Sequence, residues 1–542
     1  SKKTSTQVGV FCWVHFLFFD ENLNFKLIQM RIFEFYVLLL FRTYMTKKEL
    51  LESISFGESI AEQEADKLKN YFFQTDFWRS VRSGKNDIIF GAKGAGKSAI
   101  YMSLVNDTDN LFDESILVSL AENPQGSTAF SNLTNDPPTS EIEFIRLWKL
   151  YFLVIASQIL EEYNINDKPA SRIRQILIDC NLIPAQNKLA SFLKVCYDFM
   201  KSFRNGKEIS TTAEFDPNTG IYSGQKFSLS FGEPTKSDFE KGLIPIEHAF
   251  DLLEDSLKKN SVNLWIIIDR LDVAFVESEE LESNALRALF KAYLDLAQYK
   301  SIKIKIFLRD DIWQKITNEG FREASHITKY QKLSWSKDTL LNLLIRRILD
   351  NPTLVSEFDL DKEDILLDIK KQEALFYMLF PNQVDSGSKK PTTIDWALSR
   401  TRDGKGINTP RELIQLFSHA RIIELKKLET GINNLENKQI ISRQALKEAV
   451  EEVSKQRIEQ TIYAEFPTLK EYIEKLRGDK ADHTLQTLSK KWSISLSDTL
   501  QITKELEKIG FFEQRGDSSS PIFRVPFMYR PYLEILQGSA EL

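Results

Sequence analysis

Apolar positions along the chain follow two rhythms. Short unbroken apolar runs at Asn86–Phe90, Ile116–Leu120, Leu264–Ile268 and Ile302–Leu308 predict buried parallel strands, since a strand covered on both faces shows no polar alternation. Stretches with helical spacing predict helices over Ala61–Trp78, Ser98–Val105 and Glu141–Tyr163, the last capped by Pro137, Pro138, Thr139 and Ser140. Residues 164–240 read as an insertion, helical at first and then, over Gly206–Phe231, with the Gly, Asn and Thr/Ser content of a hairpin. From about 335 to 460 almost every segment reads as helix. Near the end, Thr484–Trp492 and Leu496–Ile509 predict two short helices joined by a brief turn. Phe511–Phe523 then reads as strand, Gly-Asp-Ser-Ser-Ser-Pro turn and strand. Helix–turn–helix followed by a hairpin is the pattern of a winged helix. No internal repeat is visible.

The first 44 residues do not match the rest. They hold eleven aromatic residues and no alanine. Their apolar stretches, Val10–Phe19 and Phe35–Phe41, fall short of the roughly 18 to 20 residues of a membrane-spanning helix. A signal peptide's small-residue cleavage site is missing as well. Met45 opens Met-Thr-Lys-Lys-Glu-Leu-Leu-Glu, an ordinary start. The expectation is a native start at Met45 behind a non-native extension, with an amphipathic membrane contact as the alternative.

Composition narrows the class only modestly. A chain of 542 residues is too long for one core, so two to four domains are expected. A net charge of -6 argues against a protein that coats nucleic acid over its whole surface. Three cysteines without metal-ligand spacing exclude a disulfide framework and fit a reducing cytoplasm.

The chemistry is concentrated in a few motifs. Gly91-Ala92-Lys93-Gly94-Ala95-Gly96-Lys97-Ser98 is a complete G-x-x-x-x-G-K-[ST] match between a strand and a helix. Its glycines let the backbone N–H groups form a nest for phosphates, and the helix start adds its positive dipole end. Lys97 is placed to reach the β- and γ-phosphates of ATP, and the Ser98 hydroxyl to ligate Mg²⁺. The run Leu264-Trp265-Ile266-Ile267-Ile268-Asp269-Arg270-Leu271-Asp272 ends a buried strand in an acid. Asp269 is therefore the candidate Walker B ligand of hydrated Mg²⁺. Asp272 either positions the attacking water or caps the following helix. Arg309, at the end of Ile302–Leu308, either senses the γ-phosphate, in its own subunit or across an interface, or bridges to Asp310 or Asp311. Arg411, in Asn408-Thr409-Pro410-Arg411-Glu412-Leu413, either folds a helical lid onto nucleotide or sits solvated at a helix start. Arg346-Arg347 is read as a further arginine finger or as a solvated helix face.

These readings give an α/β P-loop NTPase core with a parallel sheet and flanking helices, a helical lid domain and a C-terminal winged helix. The core spans 45–330 with the insertion at about 164–240, the lid 331–460 and the winged helix 461–542. On DNA-binding winged helices the second helix needs cations. Here Lys504 and Lys508 face Asp498, Glu505 and Glu507. A structural or protein-contact role is favoured over DNA reading.

With these residues in place, the chain resembles the STAND and origin-recognition side of the AAA+ P-loop ATPases. More closely it is similar to bacterial P-loop ATPases encoded in genomic and defence islands. The likeness is carried by Ala61-Glu62-Gln63-Glu64, Tyr71-Phe72, Thr75 and Trp78 before the phosphate loop, and by Tyr529-Arg530-Pro531-Tyr532-Leu533 at the end. The resemblance implies a cytoplasmic ATPase using ATP and Mg²⁺ and assembling as a homo-oligomer. It implies a setting in anti-phage defence, with a neighbouring effector protein or a phage component as partner. The absence of a glutamate beside Asp269 departs from many such ATPases and leaves fast turnover open. Three classes remain: a nucleotide-driven switch, a DNA-remodelling ATPase of the origin-recognition type, and a scaffold that binds ATP without hydrolysing it.

Overall fold

The computed structural model describes residues 46–72, 74–121, 140–183, 189–204, 213–215, 222–225, 228–231, 243–269, 279–318, 320–431, 439–517 and 520–541. The 1–44 extension and the step from Arg270 to Asp272 lie outside the described residues.

Five strands form the central sheet: β1 (Ile88–Gly91), β2 (Ile116–Leu120), β3 (Asn263–Ile268), β4 (Ile302–Arg309) and β5 (Tyr330–Leu333). Their order is β2-β3-β4-β1-β5, and every pairing is parallel. The apolar runs are unbroken because both faces are covered. Ile88, Phe90, Ile266, Ile268, Ile304 and Ile306 face one apolar cluster, and Ile89, Trp265, Ile267 and Phe307 face the other. Parallel pairing brings every carboxyl end to one edge, where Gly91 stands level with both Arg309 and Leu333.

Helix α1 (Lys97–Asn106) covers the second face, and α2 (Glu141–Glu162) and α3 (Glu279–Leu296) cover the first. Trp148 Nε1 ties α2 to α3 by donating to the Ala285 carbonyl at 2.9 Å. The helices Lys168–Asp179 and Leu189–Arg204, expected within an insertion, contribute Ile173, Ile176, Phe192 and Leu193 to this same core. Within the expected hairpin, Ala213–Phe215 pairs antiparallel with Tyr222–Gln225, whereas Ser228–Ser230 pairs parallel with Leu243–Pro245.

Lys305 interrupts the apolar faces. Its ammonium is buried, donates to the carbonyls of Val81 and Asn86 at 2.9 and 3.0 Å, and lies 4.1 Å from the Trp265 ring centre. Burial pushes its pKa down to about 7. The side chain thereby anchors the segment that leads into β1.

The single helix expected over Ala61–Trp78 is broken. A 3₁₀ turn (Ala61–Gln63) and a helix (Ala65–Tyr71) precede a second helix, Asp76–Arg82. Thr75 makes the break: its backbone is extended and its hydroxyl accepts from Trp78 N–H at 3.1 Å. A threonine that can satisfy an orphan N–H at a helix start is stabilised there over the helix interior.

Beyond the sheet, α4 (Lys337–Leu349), α5 (Pro410–Glu429) and α6 (Arg443–Arg457) build a helical unit with its own core. Phe376, Phe380 and Phe417 pack there with ring centres 4.6 to 5.7 Å apart. The chain from Leu50 to Phe56, expected to open the ATPase core, joins this cluster instead. A π-helical turn, Ile458–Tyr463, carries α6 onward into the last unit. That unit holds β6 (Lys480–His483), α7 (Leu485–Trp492), α8 (Leu496–Lys508), β7 (Glu513–Arg515), β8 (Ile522–Arg524) and β9 (Leu536–Ser539). Its sheet runs β7-β8-β6-β9. The strand–turn–strand expected over Phe511–Phe523 is present as the antiparallel β7–β8 pair. Among the described residues no helix is long and apolar enough to cross a membrane.

Candidate functional site

The loop from Gly91 to Gly96 joins β1 to α1 at the carboxyl edge. Gly94 and Gly96 have φ of +83° and +97°, which residues with a Cβ rarely adopt. A Cβ on Gly94 would also meet Thr409 Oγ1 at 2.9 Å and Arg411 Cβ at 3.0 Å. The loop is thus fitted closely against the start of α5. Helix α1 has no side-chain cap at Gly96, so its first N–H groups are directed into the loop. Lys97 Nζ folds back to donate to the Gly91 and Ala92 carbonyls at 2.9 and 3.1 Å. Trp335, just past β5, braces the outer side by donating to the Ala95 carbonyl at 2.8 Å.

Asp269 follows directly on β3 and is buried. Ser98 Oγ donates to Asp269 Oδ2 at 3.0 Å. A hydroxyl and a carboxylate in contact at the mouth of a phosphate-type loop are the hard oxygen donors that a hydrated Mg²⁺ takes. The residues present therefore fit both groups expected here. The glycine nest and Lys97 suit a phosphate chain, and Ser98 with Asp269 suits the cation.

Around this edge the structure opens a cavity of about 1220 Å³ bounded by all three units. Lys93, Lys97, Ser98, Asp269, Arg309 and Arg411 all line it. Arg309 adopts the ion-pair geometry, with Asp311 rather than Asp310: its Nε and Nη2 donate to the Asp311 oxygens at 3.0 and 2.6 Å. Asp310 instead pairs with Lys332. Arg309 also donates to Glu465 Oε2 at 2.7 Å. Burial works against the Arg309 charge, but Asp311 and Glu465 outweigh it and hold the guanidinium protonated more firmly than usual. Arg411, in the first turn of α5, sits against Gly94 and is half-buried rather than solvated, and its Nε has no hydrogen-bond partner.

The Arg346-Arg347 pair does not form a solvated face. Arg347 is buried and donates to Glu64 at 2.5 and 3.1 Å and to the Phe56 carbonyl at 2.7 Å, with the Tyr71 ring 4.5 Å away. Tyr71 also donates to Glu64, at 2.6 Å. Arg346 is half-buried and donates to Asn342 at 2.8 Å. Arg347 fastens the lead-in segment to the helical unit, so Arg347→Met is expected to cost about 3 to 5 kcal/mol by leaving the Glu64 charge buried without its partner. Chemical denaturation would show the loss as a lowered midpoint, and an unchanged midpoint would contradict it.

No sequence motif marks Glu465, Glu64 or Trp335 as site residues. Glu64 did lie within the lead-in signature, but nothing local marked it as the partner of Arg347.

No protein-family model matches the chain. Among curated proteins it is similar to the transposon gamma-delta 80.3 kDa protein of Escherichia coli K12, 23% identical over 453 residues. The match covers 81% of this chain and 56% of that protein, so the chain spans little more than half of its relative's length. Among solved structures it is similar to the Aeropyrum pernix ORC1 protein in complex with DNA, with TM-score 0.34, 11% identity, and 88% and 92% of the two chains covered. The Aeropyrum pernix ORC2 protein in its ADPNP-ADP complexes gives 0.39 and 12%, covering 89% and 94%. A Walker-type ATPase of Pyrococcus abyssi gives 0.36 and 10%, covering 86% and 96%. These are loose overall similarities.

Proposed function

We propose that the chain binds ATP with Mg²⁺ at Gly91–Ser98, hydrolyses it, and acts as a nucleotide-driven switch. The observation that carries this reading is the Ser98–Asp269 hydrogen bond, which unites two motifs far apart in sequence at the mouth of the glycine loop. In this reading the loop N–H groups and Lys97 hold the phosphates, and Ser98 and Asp269 hold the metal. Mg²⁺ supplies charge neutralisation across the phosphate oxygens when bound. Arg309 and Arg411 bring cations to the same cavity, Arg309 from the sheet edge and Arg411 from the helical unit. Asp272 is proposed to orient the attacking water, and Asp272→Asn would then hold the ATP-bound state. Residues of three units line one cavity, so phosphates bound there would touch all of them, the arrangement a switch needs.

We read the last unit as a winged helix used for contact rather than for reading DNA. On α8 the acids Asp498, Glu505 and Glu507 outnumber Lys504 and Lys508, and Glu505 and Lys508 face the cavity. The relative's name ties that protein to a transposon, and a mobile-element setting for this chain is part of the proposal. Self-association on ATP, with an arginine crossing between subunits, is a further part.

Phosphate release with and without duplex DNA, alongside sedimentation with a slowly hydrolysed ATP analogue, tests the choice. The switch predicts a rate indifferent to DNA and a larger species with the analogue. Strong stimulation by DNA would favour the DNA-remodelling reading, and a strict monomer would remove the assembly.

A further inference from the structure

Helix α6 does not stop at the end of the helical unit. It runs through the π-helical turn Ile458–Tyr463 and ends on Glu465, the last helical residue before Phe466. Such turns widen a helix by one residue and recur at functional positions. Glu465 is thereby delivered to the phosphate-loop edge. Its Oε1 accepts from Lys93 Nζ, within the glycine loop, and its Oε2 accepts from Arg309 Nη2 at 2.7 Å, at the end of β4.

The placement is electrostatically unusual. A site for a polyanion gains by offering uncompensated cations, and here a carboxylate from another unit holds two of them. Burial disfavours the Glu465 charge, yet Arg309 and Lys93 outweigh it and keep the carboxyl below its ordinary range. Glu465, Lys93 and Arg309 all line the one cavity. Other ties of the last unit, among the described residues, run to the helical unit. Gly404 N–H donates to the Gly510 carbonyl at 2.7 Å, and Tyr532 N–H donates to Ser454 Oγ at 3.2 Å. Glu465 is thus a direct charged tie between the C-terminal unit and the catalytic edge of the sheet.

We propose that Glu465 is a displaceable latch, which holds the C-terminal unit on the phosphate loop without nucleotide and yields Lys93 and Arg309 to the phosphates when ATP binds. The proposal rests on the nucleotide site proposed above and adds its regulation. The latch and the triphosphate compete for the same cations, so each weakens the other's hold by the same factor. Release frees the C-terminal unit from the sheet edge while its ties to the helical unit remain.

The test uses the full chain with Cys12 replaced by serine and a fluorophore pair at Gln298→Cys and Lys490→Cys, both exposed positions. Energy transfer is read without nucleotide and with the Mg²⁺ complex of a slowly hydrolysed ATP analogue, and calorimetry gives the affinity. Glu465→Gln keeps the size of the side chain and removes its charge. It is expected to bind the analogue about tenfold more tightly, within the usual range of coupling between linked sites. Without nucleotide it should already show the energy transfer that the labelled chain with Glu465 intact reaches only with nucleotide. In the labelled chain with Glu465 intact, added salt should shift the energy transfer the same way, because the tie is ionic. This arm needs no substitution at Glu465. Unchanged or weaker affinity in Glu465→Gln, or energy transfer indifferent to both the substitution and salt, would overturn the latch. If neither protein binds the analogue, the nucleotide site itself is wrong, and energy transfer without nucleotide still decides whether Glu465 holds the units together.

Discussion

Replacing Lys97 with alanine is expected to weaken binding of MgATP by about 100-fold, close to 2.7 kcal/mol. The ammonium sits at the root of the glycine loop, held by two loop carbonyls that a phosphate oxygen can replace. Charge-assisted hydrogen bonds contribute roughly 1.5 to 3 kcal/mol each, so a loss of this size needs only one or two of them. The fold should survive, because β1 and α1 are fixed by the apolar residues Ile89, Ile100, Tyr101 and Leu104. Calorimetric titration beside a thermal melt separates the two effects. Full affinity in the variant would show that nucleotide binds elsewhere.

Asp269→Asn should act on the other half of the site. The amide keeps the shape and can still accept from Ser98, but it no longer offers a charged oxygen to the metal. Nucleotide affinity should change by only a few-fold, while Mg²⁺-dependent hydrolysis falls by about 10² to 10³, the scale seen when one preorganised electrostatic group is removed. Single-turnover phosphate release reads this directly. A variant that hydrolyses at the parent rate would place the metal on other ligands.

How far the sequence led depended on whether the determining contacts were local. The strands β1 to β4 were legible because burial on both faces leaves runs such as Ile266-Ile267-Ile268 with no polar break. The glycine loop was legible because its geometry demands particular residues at fixed spacing. The break at Thr75 was less visible, since helical propensity continues through it and only the cap bond to Trp78 stops it. In the sequence Lys305 lies within an apolar strand run. What makes its burial tolerable comes from Val81, Asn86 and Trp265, which belong to other elements. Arg347 looked like surface charge until Glu64 arrived from the lead-in. Glu465 lies 372 residues from the lysine it meets, and no spacing rule reaches that far. The placement of Leu50–Phe56 on the helical unit is a tertiary choice of the same kind.

The central claim is that one MgATP binds at the Ser98–Asp269 edge and is turned over there. Calorimetric titration of the full chain with MgATP, followed by phosphate release with and without a chelator, tests it most directly. The account predicts one nucleotide per chain and a slow release of phosphate that stops when Mg²⁺ is removed. No heat of binding at millimolar ATP, or release unaffected by the chelator, would contradict it.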